Sequence, residues 1–147
     1  MIEQEASTPQ VVSEYVYRRQ VQYRDTDASG IVHFSAFFCY AEEAEHAMWR
    51  SVGLSVEPRD TEIGWPRVSA SFDFRRALRF EDEIEVRIRV VAKNAKTFTF
   101  ESVITCRGEV AAIGTITTIC VRKRSGEPLK AIDIPDEIAN RFQVAAV

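Results

Sequence analysis

Apolar and polar residues alternate along several stretches of the chain, and this period of two predicts β-strands. The first stretch is 15–24 (YVYRRQVQYR), in which only Arg19 interrupts the alternation. Later stretches repeat the pattern, with apolar residues at alternate positions apart from Ser102: 68–74, 83–90 and 97–104. The next stretch, 109–122, is apolar or Thr on both faces, which predicts a strand that is central or covered on both sides.

After the first of these strands the apolar spacing changes to three and four residues. This spacing holds from Ala36 to Val52 and predicts an amphipathic helix of about four turns. Ser35 is its expected N-cap and Gly53 its expected C-terminal stop. The other side of the helix carries polar residues that we expect to face solvent: Glu42, Glu45, His46 and Arg50.

The order of elements is one strand, one long helix and then four strands, with hairpin turns indicated at 93–96 and 107–109. A helix with one apolar face needs a surface to cover. We therefore expect an α+β fold in which a curved antiparallel five-stranded sheet wraps around one long central helix. Residues 1–14 are expected to form a flexible tail, and 15–147 a single domain with a short last helix near Pro135.

Composition and charge narrow the possible functions. The net charge is −3, so the chain lacks the excess of positive charge typical of a nucleic-acid-binding protein. Residues 1–14 have no apolar run of the kind found in signal peptides, and no later stretch is suited to spanning a membrane, so we expect a cytoplasmic protein. The expected hairpin separates Cys106 from Cys120 by about ten residues along the ladder, or roughly 30 Å, which excludes a disulfide between them.

Residues 23–34 (YRDTDASGIVHF) lie between the first strand and the helix and hold two carboxylates, a glycine and a histidine. Asp27 comes a few residues before the helix start, where unpaired backbone N–H groups stabilise developing negative charge. A carboxylate beside such donors suits acyl transfer from a thioester, either by direct attack or by deprotonating water. The alternative is that Asp25 and Asp27 only stabilise a turn through hydrogen bonds to nearby backbone N–H groups.

The same residues, together with Phe37, Tyr40 and Glu43 on the helix, resemble the signature of a known enzyme family. That family is the hotdog-fold acyl-CoA thioesterases of the 4-hydroxybenzoyl-CoA thioesterase type. Asp-Thr-Asp, Gly-aliphatic-Val and an aromatic helix start occur together at the family's spacing, and a looser likeness extends over residues 15–123. The resemblance implies a sheet wrapped around the long helix, and two protomers whose sheets join edge to edge, with active sites at the interface of a dimer or of a tetramer of dimers.

The resemblance also implies the roles of individual residues in hydrolysing an acyl-CoA to free acid and CoA. The catalytic carboxylate falls on Asp27, as nucleophile or general base, and the backbone N–H near Phe34 polarises the thioester carbonyl. Asp25 is then structural. Family members often carry Tyr or His at the position of Phe34, so His33 either orients water or substrate, or is a structural hydrogen bonder. The expected substrate-binding residues are Gly30, Ile31, Val32, Ser35 and Glu43, and the expected CoA-binding residues are Lys93, Lys96 and Thr97.

Two other functions stay open at this point. A non-catalytic acyl-thioester-binding protein of the same fold is favoured by Phe34, whose side chain cannot donate a proton, and is opposed by Asp27. A hotdog dehydratase or hydratase needs an Asp–His or His–Glu pair for proton abstraction, and the His-x-Asp segments typical of those enzymes are missing. Because His33 and His46 are the only histidines, we expect no metal site, and we expect no cofactor.

Overall fold

The structure is a computed structural model and describes residues 10–147. One long helix, α1 (Phe34–Ser51), packs against an antiparallel five-stranded sheet, which confirms the predicted α+β fold. The strands of this sheet are β1 (Glu14–Gln20), β3 (Arg67–Phe74), β4 (Glu83–Lys93), β5 (Thr97–Cys106) and β6 (Glu109–Ile119). Short elements complete the chain: a 3-10 turn at Tyr23–Asp25, β2 (Ile63–Gly64), β7 (Val121–Arg122), β8 (Lys130–Ala131) and α2 (Asp136–Ala139).

The strand order β1-β4-β5-β6-β3 leaves β1 and β3 at the two edges of the sheet. The strands β4, β5 and β6 form two hairpins, whose turns lie where the sequence predicts them. Strands β2, β7 and β8 form a small second sheet from the connection after α1 and the segment after β6. The register also places the backbone N–H of Cys120 2.7 Å from the carbonyl of Lys96, as the hairpin reasoning predicted.

The boundaries of α1 differ from the prediction at its start. The N-cap is His33, whose ring Nδ1 accepts a hydrogen bond from the Ser35 N–H at 3.2 Å, so the predicted N-cap at Ser35 is wrong. The helix therefore has about five turns. Its end is as predicted, because Gly53 takes the positive φ of +79° that suits a glycine just after a helix.

The expectation that Glu45 faces solvent is also wrong. Glu45 is only 3% exposed, and its carboxylate is held by both terminal nitrogens of Arg67 at the start of β3. The pKa of Arg67 is raised, because its hydrogen bonds and charge interactions with Glu45 outweigh the burial that opposes its charged form. The pattern of apolar and polar residues along the helix does not show that Glu45 pairs with Arg67 of another element.

The alternation in β3 does not produce a buried face along its whole length. Val68 is 58% exposed and Ala70 and Phe74 are also exposed, whereas Phe72 is half-buried against the helix residues Phe37 and Phe38. The reason is the position of β3 at the sheet edge, where α1 covers only part of the strand. Within residues 10–147, the apolar groups at this edge are exposed to solvent.

The two ends of the described chain close the core at the C-terminal end of α1. Val12 bridges to Phe142, and Phe142 is buried against Trp49 with their ring centroids 5.0 Å apart. The packed chain therefore begins three residues before the predicted boundary at Tyr15, and residues 1–9 of the predicted tail lie outside the described residues. No helix among residues 10–147 is both long and apolar enough to cross a membrane.

Candidate active site

The loop between β1 and α1 is folded back on itself by backbone hydrogen bonds. Thr26 and Val32 form an antiparallel bridge, and the Asp27 N–H donates to the carbonyl of Ile31 at 2.9 Å. The Gly30 N–H donates to the carbonyl of Asp27 at 3.0 Å. Gly30 has a φ of +78°, a conformation that favours glycine, so this residue permits the tight turn.

Asp25 is held by the surrounding structure. Its Oδ2 accepts hydrogen bonds from Arg19 Nη2 (2.8 Å), the Gln22 N–H (2.9 Å) and the Tyr40 hydroxyl (2.9 Å). The side chains of Arg19 and Asp25 are only 12% and 13% exposed. Burial and the hydrogen bond to Asp25 raise the pKa of Tyr40, so its hydroxyl stays a donor. Asp25 therefore fixes the loop to both the sheet and the helix.

Arg19 explains why the alternation in the first strand is interrupted. Its Nη1 donates to both carboxylate oxygens of Glu43, at 2.6 and 2.7 Å, while its guanidinium carbon lies 4.6 Å from the centre of the Tyr40 ring. Burial opposes the charged form of Arg19, but Glu43 and Asp25 outweigh it, and the pKa of Arg19 is raised. Arg19, on the face of β1 that packs against α1, therefore helps to hold the loop in place.

Asp27, two residues further on, is in a different environment. Its Oδ1 accepts only a local hydrogen bond, from the Ser29 N–H at 2.8 Å. Within residues 10–147, no side chain forms an ion pair or hydrogen bond with its other oxygen, so the carboxylate is available to a ligand. This contrast with Asp25 distinguishes the two acids, which the sequence pattern alone does not.

Asp27 lines an open cleft of about 360 Å³. The walls are apolar apart from Asp27 and two arginines, Arg75 and Arg76, that follow β3. Apolar lining residues come from the loop, the helix start and the end of β3: Ile31, Val32, Phe34, Phe37, Phe74 and Ala77. An apolar cleft with one free carboxylate is suited to an acyl group whose reacting carbonyl lies at the polar end.

The helix start contributes to the same cleft. Phe34 is the first residue of α1, so its N–H has no acceptor within the helix and carries part of the positive end of the helix dipole. The Phe34 ring is exposed and lies 4.5 Å from the His33 ring. The Nδ1 of His33 is 2.7 Å from the Ser35 hydroxyl, so the His33 ring is held at the helix N-cap. It lies beside the cleft and does not line it.

The structure brings four of the predicted site residues together in the cleft: Asp27, Ile31, Val32 and Phe34. Gly30, His33 and Ser35 are their neighbours in the loop and first helical turn but do not line it. Glu43 lies outside the lining and is paired with Arg19.

The predicted CoA-binding residues lie at the far end of the sheet from the loop. Lys93 Nζ donates to the backbone carbonyls of Ala139 and Phe142, and Lys96 pairs with Asp133 at 2.6 Å. Thr97 begins β5 directly after this turn. The loop residue Val21 instead bonds to Asp82, next to the start of β4, and β4 spans about 30 Å from there to Lys93.

Several lining residues were not predicted from the sequence. Phe37 was identified as part of the apolar helix face and of the family signature but was not assigned to the site, and Arg75, Arg76 and Ala77 were not considered. The available signal was the end of a predicted strand at Phe74, followed at once by two arginines. Placing that strand end beside the loop requires the long-range hydrogen bond from the Val32 N–H to the carbonyl of Leu78 (2.8 Å), which no local pattern predicts.

Comparison with known proteins assigns the chain to a family. The model of the thioesterase-like superfamily matches residues 21–142, which include the loop, the helix and all strands of the sheet except β1. The chain belongs to the thioesterase-like superfamily. This finding confirms the resemblance on which the sequence predictions rest, and with it the thioesterase class of enzyme and the hotdog arrangement of sheet and helix.

Named relatives in this superfamily are similar over most of their length. A putative esterase of Aquifex aeolicus is 34% identical over 84% of this chain and 94% of its own. A 1,4-dihydroxy-2-naphthoyl-CoA hydrolase of Prochlorococcus marinus is 26% identical over 74% of this chain and 78% of its own. The structure of a gentisyl-coenzyme A thioesterase is 29% identical, covers 84% of this chain and 98% of its own, and superimposes with a TM-score of 0.77.

Proposed function

We propose that this thioesterase hydrolyses an acyl-CoA to free acid and CoA, with Asp27 as the reacting carboxylate. One observation carries the proposal: Asp27 and the first residue of α1 line the same apolar cleft, and the Asp27 carboxylate is not engaged by any cation among residues 10–147. The named relatives above that act on CoA thioesters support the same reaction class.

Two routes use this arrangement. In the first, an Asp27 oxygen attacks the thioester carbonyl carbon, the carbon–sulfur bond breaks, and water then hydrolyses the mixed anhydride. In the second, Asp27 accepts a proton from a water molecule while the oxygen of that water attacks the carbonyl carbon. The carbon–sulfur bond then breaks, and the proton passes from Asp27 to the departing thiolate. In both routes negative charge develops on the carbonyl oxygen, where the Phe34 N–H at the positive end of α1 stabilises it.

The other loop residues have supporting roles in this proposal. Gly30 shapes the turn, Ile31 and Val32 contact the acyl group, and the pair His33–Ser35 fixes the helix start and orients water or substrate. The Phe34 ring is a wall of the cleft, because its side chain has no proton to donate. Glu43 positions Arg19 and, through it, the loop.

The decisive experiment follows thiol release from a panel of aromatic and aliphatic acyl-CoAs. Asp27→Asn is expected to lower kcat by about 10²- to 10⁴-fold, the usual contribution of a general base. Asp60→Asn, a change of an exposed aspartate in the connection after α1, is the matched control and is expected to keep wild-type rates. Equally fast hydrolysis by wild type and Asp27→Asn would refute the role of Asp27, and equally slow hydrolysis of every thioester by both would favour a non-catalytic acyl-thioester-binding protein.

We also propose that two copies pair along β3. This strand is at the sheet edge with exposed apolar side chains, and Phe74 at its end lines the cleft, so a second copy paired there would lie beside both clefts. Light scattering is expected to give the mass of two or four chains of 16.7 kDa. A fully active protein that is monomeric at the assay concentration would contradict this pairing.

A further inference from the structure

One wall of the cleft is a pair of aromatic rings. Phe37 of α1 and Phe74 of β3 both line the cleft, and their rings meet edge to face with the centroids 5.0 Å apart. The two rings stand at one end of the seam between α1 and β3, which runs from them to the contact of Glu45 with Arg67. Their position therefore limits how far an acyl group can extend from Asp27 into this seam.

Phe72 lies directly behind this wall. The centroid of its ring is 6.2 Å from the rings of both Phe37 and Phe74, and 5.0 Å from that of Phe38. Phe72 is only half-buried, so it does more than fill the centre of the core. A smaller side chain at position 72 would leave the wall without support and would open space behind it.

The Phe72 ring packs on a glycine in the middle of a central strand. Gly114 of β6 is the register partner of Phe72, and a Cβ added at this glycine would collide with the Phe72 ring. Glycine inside a strand weakens the strand, and it often marks a place where another group approaches closely. Gly114 therefore allows the Phe72 ring to lie against the sheet.

The seam continues beyond Phe72 to a second cavity. This cavity has a volume of about 270 Å³, and its lining includes Glu45 and Arg67. Arg67 and Phe74 are seven residues apart on β3, which corresponds to about 23 Å of strand. The next residue of β3 on the same face as Phe72 toward Arg67 is Ala70, which is small. Phe72 is therefore the large side chain of β3 between the two cavities.

The proposed pairing of two copies along β3 leaves this arrangement intact. Pairing between strands uses the backbone N–H and C=O groups in the plane of the sheet, whereas side chains stand roughly perpendicular to it. Phe72 thus continues to face α1 when a second copy is paired. The second copy can add walls to the cleft, but it does not take the space that the Phe72 ring fills.

We propose that Phe72, packed on Gly114, sets the size of the largest acyl group that the enzyme accepts. The ring holds the Phe37–Phe74 wall in position and closes the seam, so compact acyl groups fit the cleft and long chains do not. Phe72 is a positioning residue for this wall and does not itself contact the substrate. This inference rests on the proposed hydrolysis of acyl-CoA thioesters.

The test measures kcat/KM along two series of acyl-CoAs, one of straight chains of increasing length and one of aroyl groups with one and two fused rings. The main variant is Phe72→Ala, and Phe72→Leu keeps more of the packing in case the alanine variant does not fold. The matched control is Phe100→Leu, which changes a buried phenylalanine of β5 whose aromatic contacts are Phe98 and Phe142.

Wild type is expected to show a chain length beyond which kcat/KM falls, and Phe100→Leu is expected to show the same limit. Phe72→Ala frees the space of a phenyl ring and should move the limit by about four methylene groups. Each buried methylene corresponds to about a fourfold gain, so kcat/KM for chains at the new limit, relative to chains at the old one, should rise by on the order of 100-fold. The ratio of two-ring to one-ring aroyl-CoA should rise in the same direction.

Gly114 provides a test of opposite sign. The methyl group of Gly114→Ala points from the sheet toward α1 and pushes the Phe72 ring against the wall, so this variant should move the limit to shorter chains. The double variant Phe72→Ala/Gly114→Ala has no ring to push. It should therefore show the longer limit of Phe72→Ala, which a general loss of stability at Gly114 would not produce.

Four results would overturn the inference: a wild type without a size limit, folded Phe72 variants that keep the wild-type limit, an equal shift in Phe100→Leu, or a double variant with the limit of Gly114→Ala. Failure of the proposed function looks different, because wild type then hydrolyses no member of either series. In that case calorimetric titration of the same acyl-CoAs decides. The gain in affinity with acyl size should stop at a limit in wild type and continue past it in Phe72→Ala, and equal limits would overturn the inference.

Discussion

Asp25 and Asp27 are separated by a single residue, yet replacing each carboxylate by its amide should affect different properties. Three donors converge on Asp25 Oδ2, from Arg19, Gln22 and Tyr40. A neutral amide oxygen keeps the geometry but loses the charge. Hydrogen bonds to a charged group contribute about 1.5–3 kcal/mol and neutral ones about 0.5–1.5 kcal/mol. Arg19 retains Glu43 as a partner, which limits the loss.

Asp25→Asn should therefore lower the free energy of unfolding by about 2–3 kcal/mol. For a chain of this length, this corresponds to a fall in Tm of roughly 5–10 °C. Asp27 accepts only the Ser29 N–H, a bond that an asparagine oxygen reproduces, so Asp27→Asn should change stability by less than about 0.5 kcal/mol. Stability and turnover should thus separate between the two variants, since only Asp27→Asn removes the proposed reacting group.

Urea unfolding followed by the fluorescence of Trp49 and Trp65 measures both the midpoint and the slope of the transition. A double-mutant cycle with Arg19→Gln should give a coupling energy of about 1.5–3 kcal/mol for the Arg19–Asp25 pair. Equal destabilisation by the two asparagine variants, or an Asp25→Asn protein as stable as wild type, would refute the distinction between a structural and a reacting acid.

Other predictions concern the core and the response to pH. Gly114→Ala should lower the free energy of unfolding by about 1–3 kcal/mol in chemical denaturation, because an added Cβ would collide with the Phe72 ring, whereas wild-type stability would show that this ring moves freely. Glu45→Gln should cost about 2–3 kcal/mol, because a neutral amide replaces the buried carboxylate while Arg67 keeps Glu42 as a second partner, and a loss below 1 kcal/mol would contradict that. The pKa of Tyr40 is raised above 10.0 on folding, so its contribution to stability is present below pH 10 and is lost as the pH rises through the folded-state value. Urea midpoints at increasing alkaline pH measure this loss, and Tyr40→Phe should reduce the slope.

Local patterns predicted the elements that depend on local physics. The alternation over 83–90 and 97–104 became β4 and β5, and Gly53 ended the helix as predicted. The pattern gave the wrong burial for residues whose environment depends on a contact distant in sequence. Glu45 is buried because Arg67 reaches it, and Val68 is exposed because its strand lies at the sheet edge. A pattern of apolar and polar residues contains no information about either contact.

The candidate site was predictable to the same extent. The loop 23–34 has a local signature, so Asp27 could be named from sequence, whereas the apolar spacing placed the helix start at Ala36, two residues after the observed start at Phe34. The opposite wall of the cleft, from Phe74 to Ala77, has no such signature and is brought beside the loop by pairing across the fold. The interruption at Arg19 was visible, but its reason, the two acids that it holds, required the structure.

The anchoring of α1 at its C-terminal end has a practical consequence for engineering. Phe142 packs on Trp49 there, and the Arg141 guanidinium donates to the carbonyl of Val52 at 2.6 Å. The helix start, at the cleft, lies about 27 Å away along an 18-residue helix. Substitutions so far apart with no shared partners have additive effects. Cleft variants can therefore be made in a protein that already carries stabilising substitutions at the far end of the helix. Those substitutions offset the stability that the cleft variants lose and leave the substrate preference of the cleft unchanged.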